Sequence, residues 1–308
     1  MASRSRSTAE LLDEPGCVLF LGDSITWAGG YVEDFETCWR ATHPDSRAEI
    51  LELGLPSETV SGLSENGHAG GAFARPVLDE RLERTLERTR PQLVFACYGM
   101  NDAIYMPFDE SRFASFCAGI VQLEQRCHAH AARLVLLTPP TFDALPLGAN
   151  VLPEGLAEYP KPFADYDEVL ARYSTWLANR KDAEVVDLHT AMREFVAARR
   201  VAEPNFTLAG DGVHPGELGH WLIARELLVH FGVISARDAR SPEQFLGNIP
   251  VSAKLLSFVR QRQQLMRDAW LVEIGHKRPG LPPGLPLDEA KARAEVLEIE
   301  ARELLRTE

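Results

Sequence analysis

A serine follows directly after a short apolar run near the start of the chain. Residues 18–26 read Val-Leu-Phe-Leu-Gly-Asp-Ser-Ile-Thr, and the apolar part predicts a buried strand that ends at Gly22. A serine at the start of the next helix projects its hydroxyl over the carboxyl edge of the sheet, where open α/β sheets bind ligands. Free N–H groups at that helix N-terminus also favour a developing anion. Ser24 is therefore a candidate nucleophile, and a serine that only caps the helix is an equally good alternative.

An aspartate and a histidine share one loop after the last predicted strand. Residues 210–215 read Gly-Asp-Gly-Val-His-Pro, so that Asp211 lies three residues before His214. At this spacing the carboxylate can meet one ring nitrogen, which leaves the other nitrogen free to accept the proton of a serine. The pair thus supplies the base and the orienting acid that a serine nucleophile needs. An Asx turn that carries a surface histidine is the alternative.

Two further strand-end loops offer hydrogen-bond donors. Asn101 follows the third predicted strand, within residues 98–102, and its side-chain amide can donate to an oxyanion beside Ser24. Residues 53–59 follow the second predicted strand, and their backbone can supply another donor. A plain turn is the alternative for the asparagine segment. Each fragment alone is a weak signal, but four strand-end loops in chain order each offer one part of an acyl-transfer site.

Strand-like and helix-like segments alternate along most of the chain. The predicted strands are residues 17–21, 48–53, 93–98, 134–138 and 184–188. The predicted helices are residues 31–42, 75–90, 111–131, 166–180, 189–200 and 217–231. This alternation predicts βαβ units with right-handed crossovers, and hence a parallel sheet that helices cover on both faces. We expect a flavodoxin-like three-layer α/β/α sandwich around a five-stranded parallel sheet.

Two parts of the chain depart from this alternation. Residues 138–162 are rich in proline and glycine, and we expect a long irregular loop that leaves the carboxyl edge of the sheet. Further on the pattern becomes helical, with one helix predicted over residues 253–273. We therefore divide the chain into a catalytic domain, residues 1–232, and a helical C-terminal extension, residues 233–308.

The last helix-like segment carries an apolar seam. Its members recur at spacings of three and four, a 3.5-residue period: Leu287, Ala290, Ala294, Leu297, Ala301 and Leu304. The seam packs either on its own domain or on another subunit of a homo-oligomer. A basic stretch precedes it, formed by Gly275, His276, Lys277 and Arg278. That stretch is either a solvated turn or a segment that reaches the mouth of the site.

The composition limits the partners of the protein. Its net charge of −13 repels phosphate backbones and anionic lipid headgroups, so we expect no nucleic-acid partner. No stretch is long and apolar enough for a transmembrane helix, and no apolar signal-peptide core follows the N-terminal arginines. We predict a cytoplasmic protein, with export left open if the natural chain is longer. The five scattered cysteines favour reduced thiols, and none of their spacings suits a zinc site.

Taken together, the strand-end loops resemble the blocks of the SGNH, or GDSL, hydrolase family. The blocks that carry the resemblance are Gly22-Asp23-Ser24, Gly99-Met100-Asn101-Asp102 and Asp211-Gly212-Val213-His214. Their order and spacing match the family, and the resemblance covers residues 17–231.

The resemblance implies acyl transfer through a covalent intermediate. In that mechanism Ser24 attacks an ester carbonyl, His214 takes the serine proton, and Asp211 holds the imidazole. The implied oxyanion hole consists of the N–H of Ser24, the N–H of Ser57 and the side chain of Asn101. No metal or organic cofactor is needed.

One block departs from the family pattern. The family usually has a glycine in the second block, and alignment on Glu58-Thr59 places Ser57 at that position. Gly54 lies three residues earlier and aligns less well. A backbone donor does not require glycine, so we keep Ser57 as the donor, and the departure leaves its backbone conformation in question.

These features predict a serine esterase that removes a small acyl group, with acetyl favoured, from a carbohydrate or similar polar substrate. The first alternatives are lipid, lysophospholipid or thioester substrates. An inactive binding module that keeps the fold is an alternative of a different class. A flavodoxin-like nucleotide domain is disfavoured, because Gly29 and Gly30 come too late after the first strand and no lysine follows them.

Overall fold

Five parallel strands form the centre of the molecule. The computed structural model describes residues 6–247 and 250–306. The strands are β1 (Gly16–Gly22), β2 (Ala48–Glu52), β3 (Pro91–Cys97), β4 (Arg133–Leu137) and β5 (Glu184–Val186). Their order in the sheet is β2-β1-β3-β4-β5, and every neighbouring pair is parallel. This is the flavodoxin-like order, which confirms the predicted fold class.

The central strands are buried on both faces, which explains their continuous apolar sequences. In β1 every residue after Gly16 is buried, and in β3 only Gln92 is partly exposed. Phe20 of β1 stacks on Phe95 of β3 with ring centroids 4.5 Å apart. A strand without a solvent face requires helices above and below it, so the core lies between the sheet and two helical layers.

The helices follow the strands in the order that the sequence predicts. They are α1 (Thr8–Asp13), α2 (Ser24–Trp27), α3 (Gly30–Thr42), α4 (Asp79–Thr89), α5 (Glu110–Ala129), α6 (Tyr166–Ala178), α7 (Leu188–Arg200), α8 (Glu217–His230), α9 (Pro242–Leu246), α10 (Pro250–Ile274) and α11 (Leu287–Arg306). Helix α3 packs against α8 and α10, and helix α5 packs against α4 and β4. None of the helices in the described part of the chain is long and apolar enough to cross a bilayer.

Two predicted boundaries were wrong in ways that bear on the site. The helix predicted over residues 75–90 begins only at Asp79, so Arg75 lies in the preceding loop. The last strand ends at Val186 rather than at residue 188, because Asp187 caps α7 through a bond from the N–H of Thr190. The long loop was predicted correctly and contains one short 3-10 segment, Leu145–Asn150.

The C-terminal helices pack on the same body as the sheet. Helix α11 lies along α10, and three seam residues, Ala290, Ala294 and Ala301, are buried there. Helix α10 packs on α3 and β2. The apolar seam of α11 therefore packs against the rest of the same chain. The division near residue 232 and an oligomer formed through these helices both stay predictions.

The cysteines are free thiols, as predicted. Four are buried and Cys117 is partly exposed. Burial raises the pKa of the Cys117 thiol to about 11 and raises the pKa of the four buried thiols further still. All five thiols are thus held in the unreactive protonated form at neutral pH.

Helix α3 carries a buried carboxyl group whose ionisation depends on folding. Asp34 is only 7% exposed. Burial, with the neighbouring Glu33 carboxylate adding to it, raises the pKa of Asp34 from 3.8 to about 7. Between these values the folded protein keeps a proton that the unfolded chain has released, so the group favours folding at low pH. That contribution is lost as the pH rises through the folded value.

We expect Asp34→Asn to raise the free energy of unfolding at alkaline pH by roughly 1–4 kcal/mol. At mildly acidic pH the change is expected to be small, since a neutral amide resembles the protonated acid. Urea unfolding on both sides of neutrality tests this, with the exposed Asp182→Asn as the matched control. Equal stabilisation at both pH values would contradict the prediction.

Candidate active site

The short helix α2 presents Ser24 at the carboxyl end of β1. The helix is capped by Asp23, whose Oδ1 accepts the N–H of Ile25 at 2.9 Å. The cap is therefore Asp23, and the Ser24 hydroxyl is left for another partner. That partner is His214, whose Nε2 lies 2.8 Å from the Ser24 Oγ. The structure thus brings together two candidate residues that are 190 positions apart in sequence.

The loop between α7 and α8 holds the side chains of Asp211 and His214 within hydrogen-bond distance of each other. The Oδ2 of Asp211 lies 2.6 Å from the His214 Nδ1, while its Oδ1 accepts the backbone N–H groups of Val213 and His214 at 3.0 and 2.8 Å. Partial burial alone would raise the pKa of Asp211, but these hydrogen bonds outweigh it and hold the pKa below its ordinary value. An ionised Asp211 fixes the imidazole with Nε2 towards the serine.

A glycine and the long loop after β4 support this turn. Gly212 has a φ of +78°, and a Cβ there would lie 2.4 Å from the carbonyl oxygen of Asp143. The N–H of Asp143 donates to the Gly212 carbonyl at 2.8 Å, and its Oδ2 pairs with Arg200 at 2.6 Å. Only glycine fits both the conformation and the close approach. The loop after β4 therefore packs directly on the catalytic turn.

Asn101 is buried in the loop that follows β3. Its Nδ2 is 3.2 Å from the Oδ2 of Asp23 and 3.3 Å from the carbonyl oxygen of Glu58. Because Asp23 precedes Ser24 and Glu58 follows Ser57, the asparagine amide joins the two backbone segments that carry the other candidate donors. The N–H groups of Ser24 and Ser57 make no hydrogen bond within the described residues. The segments that carry the three predicted donors are thus linked to one another through Asn101.

The backbone at Ser57 explains why this position suits glycine. Its φ is +69°, in the left-handed region that glycine enters without steric cost. A serine held there is strained by of order 1 kcal/mol or more. Gly54 has a separate role, because a Cβ on it would lie 2.2 Å from the backbone nitrogen of Trp27. The loop after β2 can therefore pack tightly against α2.

A buried ion pair anchors the loop after β2. The Nε and Nη2 atoms of Arg81 each lie 2.7 Å from a carboxylate oxygen of Glu58, and the Tyr98 hydroxyl donates to Glu58 Oε2 at 2.6 Å. Both charged side chains are fully buried. Arg81 also donates to the carbonyl oxygen of Leu53 at 2.8 Å. The pair thus joins the two ends of the segment that contains Ser57.

Two buried carboxyl groups lie beside the nucleophile. Burial raises the pKa of Asp23 to about 7, with Asp102 adding to the shift. Burial likewise raises the pKa of Asp102 to about 6, although the N–H groups of Val60 and Ser61 donate to its carboxylate. The charge next to Ser24 therefore changes near neutral pH.

His220 is near enough to His214 to sense its charge, but its hydrogen bond is made to another element. Its Nδ1 accepts the N–H of Tyr31 at 3.2 Å, and the two rings stack. Burial, with the nearby His214 adding to it, lowers the pKa of His220 to about 4. A neutral His220 accepts this bond and ties α8 to the start of α3.

Several residues around the site were missed by sequence reasoning. Arg75 donates to the Asn101 Oδ1 at 2.9 Å, and Tyr105 donates to the same atom at 3.1 Å. Arg267 of α10 donates to the Trp27 carbonyl at 2.6 Å, and its guanidinium lies 4.6 Å from the centroid of the Trp27 ring. The sequence pattern predicts Arg75 inside a helix, and Arg267 is one of many charged residues on α10. No local sequence pattern therefore indicates that either arginine lies near the site.

The basic stretch before α11 contacts α4 and the loop that carries Arg75. The guanidinium of Arg84 donates to the carbonyl oxygens of Ile274 and Gly275 at 2.9 and 3.2 Å. Arg278 lies 5.4 Å from the centroid of Phe73. Burial and the nearby Arg81 lower the pKa of His276. The stretch is thus a turn that packs beside the loop after β2.

A cavity of about 700 Å³ reaches Pro215, the residue after His214, and its lining does not include Ser24, Asp211 or His214. It lies between the loop after β4 and helices α6 and α7, and its lining includes Pro215, Met192, Arg193 and the Asp143–Arg200 pair. Its wall combines apolar surface with paired charges. Within residues 6–247 and 250–306, no group of three or more His, Cys, Asp or Glu side chains is arranged to hold a metal ion.

Comparison with known proteins agrees with this geometry. The sequence profile of the GDSL-like lipase/acylhydrolase family matches residues 20–222. A search of curated proteins gives no match. One similar solved structure is a gut microbial diltiazem-metabolizing enzyme, at 20% identity and a TM-score of 0.53, over 71% of this chain and 47% of that one.

Two acetylxylan esterases are also similar in structure. Axe2 from Geobacillus stearothermophilus matches at 22% identity with a TM-score of 0.52, over 72% of this chain and 96% of its own. The acetyl xylan esterase AlAXEase matches at 17% identity with a TM-score of 0.50, over 70% of this chain and 98% of its own. At such identities these structures establish a shared fold alone.

The family profile spans more than half of the 308 residues and contains the strand-end loops from Ser24 to His214. The sequence profile and the order of the strands in the sheet both support membership of this family. The chain belongs to the GDSL-like lipase/acylhydrolase family, and it is a carboxylic ester hydrolase.

Proposed function

We propose that the protein is a serine esterase in which Ser24, His214 and Asp211 form the catalytic triad. One observation carries the proposal: the Ser24 Oγ lies 2.8 Å from His214 Nε2, and His214 Nδ1 lies 2.6 Å from Asp211. Both distances are within hydrogen-bond reach, so a proton can pass from the serine to the imidazole as the hydroxyl attacks. The side chains of His214 and Asp211 are about half exposed, 49% and 58%, so solvent water can reach the histidine.

Catalysis then proceeds in two half-reactions. The Ser24 oxygen bonds to the ester carbonyl carbon while His214 Nε2 takes the hydroxyl proton, giving a tetrahedral oxyanion. When this intermediate collapses, the bond to the alcohol oxygen breaks and His214 returns the proton to that oxygen. Water, deprotonated by the same imidazole, attacks the acyl carbonyl carbon and gives a second tetrahedral oxyanion. When this intermediate collapses, the bond to the Ser24 oxygen breaks, His214 returns the proton to Ser24, and the acid is released. Throughout, Asp211 keeps the imidazole oriented and stabilises its cationic form.

The oxyanion is held by three donors in this proposal: the N–H of Ser24, the N–H of Ser57 and the side-chain amide of Asn101. The hydrogen bonds from the Asn101 Nδ2 to Asp23 and Glu58 are long and weak, so the oxyanion can replace them as acceptor while the side chain keeps its orientation. The left-handed backbone at Ser57 is fixed by the buried pair of Glu58 and Arg81. Such fixed donors favour the transition state without reorganisation during the reaction.

For the substrate we propose a small acyl ester, with acetyl favoured, on a carbohydrate or similar polar molecule. Two similar structures carry acetylxylan esterase in their names, which supports an acetyl group on a sugar. The cavity beside the catalytic turn is lined in part by charged residues, which suits a polar alcohol component better than a lipid tail. The cytoplasmic location remains a prediction.

Acyl-chain length tests this substrate class. The proposed acetyl specificity predicts a kcat/KM for p-nitrophenyl acetate at least about tenfold above that for the octanoate, because an acyl site that fits acetyl excludes the longer chain. Acetylated xylo-oligosaccharides should release acetate. Ser24→Ala is the control for serine dependence, and Ser111→Ala, on the exposed side of α5, is the matched control for a serine substitution. Faster turnover of the octanoate would move the substrate to lipids, and no serine-dependent turnover would favour a binding module.

A further inference from the structure

Two donors converge on one atom of Asn101. The Nη1 of Arg75 lies 2.9 Å from the Asn101 Oδ1, and the hydroxyl of Tyr105 lies 3.1 Å from it. An amide oxygen has two lone pairs, so this acceptor is saturated. The pattern also fixes the amide orientation, since a flipped side chain would turn its N–H2 group towards two donors. The Nδ2 of Asn101 must therefore point away from Arg75 and towards Asp23 and Glu58, the neighbours in sequence of Ser24 and Ser57.

Arg75 is itself held rigidly. Its Nε and Nη2 donate to the two carboxylate oxygens of Glu65, each at 2.7 Å, in a bidentate pair. Its side chain is only 5% exposed. The guanidinium also lies 5.4 Å from the centroid of Tyr105. Rotation of Arg75 away from Asn101 would break the pair and leave a charge without a partner in a poorly solvated place.

Tyr105 is held at a strained backbone. It and the preceding Ile104 have φ values of +57° and +47°, which are rare for bulky and β-branched side chains. The Tyr105 ring stacks on Tyr166, with centroids 4.9 Å apart, and the Tyr166 hydroxyl donates to the carbonyl oxygen of Met100 at 2.8 Å. Strain of this kind persists where surrounding contacts maintain it and often marks a functional position.

Resting on the function proposed above, we infer that Arg75, clamped by Glu65, is a positioning residue that orients and polarises Asn101 for the oxyanion. A charged donor on the amide oxygen draws electron density from the amide and makes its N–H groups stronger donors. Arg75 acts through Asn101 and touches no reacting atom.

A double-mutant cycle between Arg75 and Asn101 tests the inference. With p-nitrophenyl acetate, Arg75→Met is expected to lower kcat by about 10–100-fold, which is the loss expected when one charge-assisted hydrogen bond is removed. The KM is expected to stay within about threefold of the wild-type value. Asn101→Ala is expected to lower kcat by about 10²–10³-fold. Because Arg75 acts only through Asn101, the double variant should fall within about threefold of Asn101→Ala alone.

Conservative variants separate positioning from folding. Arg75→Lys keeps a charge but cannot bind Glu65 and Asn101 at the same time, so a loss intermediate between wild type and Arg75→Met is expected. Glu65→Gln keeps Arg75 but loosens it, and a smaller loss is expected. Arg126→Met, at an exposed arginine on α5, is the matched control. Thermal unfolding of each variant identifies any that do not fold, and the Arg75→Lys and Glu65→Gln kinetics then decide the question.

The inference is overturned if Arg75→Met costs as much in the Asn101→Ala background as in wild type, or if it raises KM while kcat is unchanged. It is also overturned if Arg75→Met is as active as Arg126→Met. A failure of the proposed function gives a different result, because Ser24→Ala would then retain full hydrolysis. Loss of activity in Ser24→Ala beside a fully active Arg75→Met would reject the role of Arg75 alone.

Discussion

Replacing Ser24 with alanine is expected to lower kcat for p-nitrophenyl acetate by about 10⁴-fold or more, with little change in stability. The hydroxyl caps no helix, since Asp23 fills that role, so its removal leaves the local structure in place. Without it no acyl-enzyme forms, and only the oxyanion donors remain to assist a direct attack by water. The loss of one triad member in related chemistry leaves about 10³–10⁴-fold catalysis over water.

A second substitution, Asp211→Asn, tests the roles of the triad residues separately. Asp211→Asn should cost less than Ser24→Ala, because the imidazole can still accept a proton but is held less firmly in the correct tautomer. Stopped-assay kinetics over a range of pH gives kcat for each variant, and circular dichroism checks the fold. A Ser24→Ala protein that keeps a tenth or more of the activity would show that another residue is the nucleophile.

Removing the arginine of the buried pair is expected to have the largest effect on stability. Arg81→Met leaves the Glu58 carboxylate fully buried and, among the described residues, with the Tyr98 hydroxyl as its one remaining close partner. The loss of one partner of a buried ion pair typically costs about 3–5 kcal/mol. Urea unfolding followed by circular dichroism measures this change. Activity should fall as well, because Glu58 fixes the backbone at Ser57.

A second substitution separates the lost charge from the lost packing. In the Arg81→Met background, Glu58→Gln removes the unpaired negative charge and should recover part of the lost stability. The exposed pair of Arg126 and Glu83 provides the comparison, and Arg126→Met should change the free energy of unfolding by less than about 1 kcal/mol. If Arg81→Met costs no more than Arg126→Met, the buried pair does not hold the loop.

Most of the fold follows from patterns that are local in sequence. The continuous apolar run of β1 and the amphipathic helices fix the alternation of strands and helices, and the parallel sheet follows from that alternation. The strand-end positions of Ser24 and Asn101 could be predicted for the same reason, because every parallel strand ends at the same edge. His214 instead lies in the loop between α7 and α8, beyond the helix that follows β5. Contacts between distant segments follow from none of these patterns.

Arg75 shows where sequence reasoning fails. It lies 26 residues before Asn101, in a stretch whose periodicity continues that of α4. Its loop position depends on contacts with Glu65 and Tyr105, and no local preference encodes these. Ser57 is similar, since its left-handed φ is imposed by the buried pair of Glu58 and Arg81 and opposes the intrinsic preference of serine.

Helix α10 also has a consequence for how the protein is synthesised. Glu33 and Glu52 are buried beneath this helix, and their arginine partners, Arg260 and Arg267, are made 227 and 215 residues later. A nascent chain that has already emerged as far as β5 still holds these carboxylates without their cations, and the carbonyl at the end of α2 lacks its donor. The ribosome therefore completes the sheet well before it supplies Arg260 and Arg267, and the two buried carboxyl groups gain these partners only after α10 has been made.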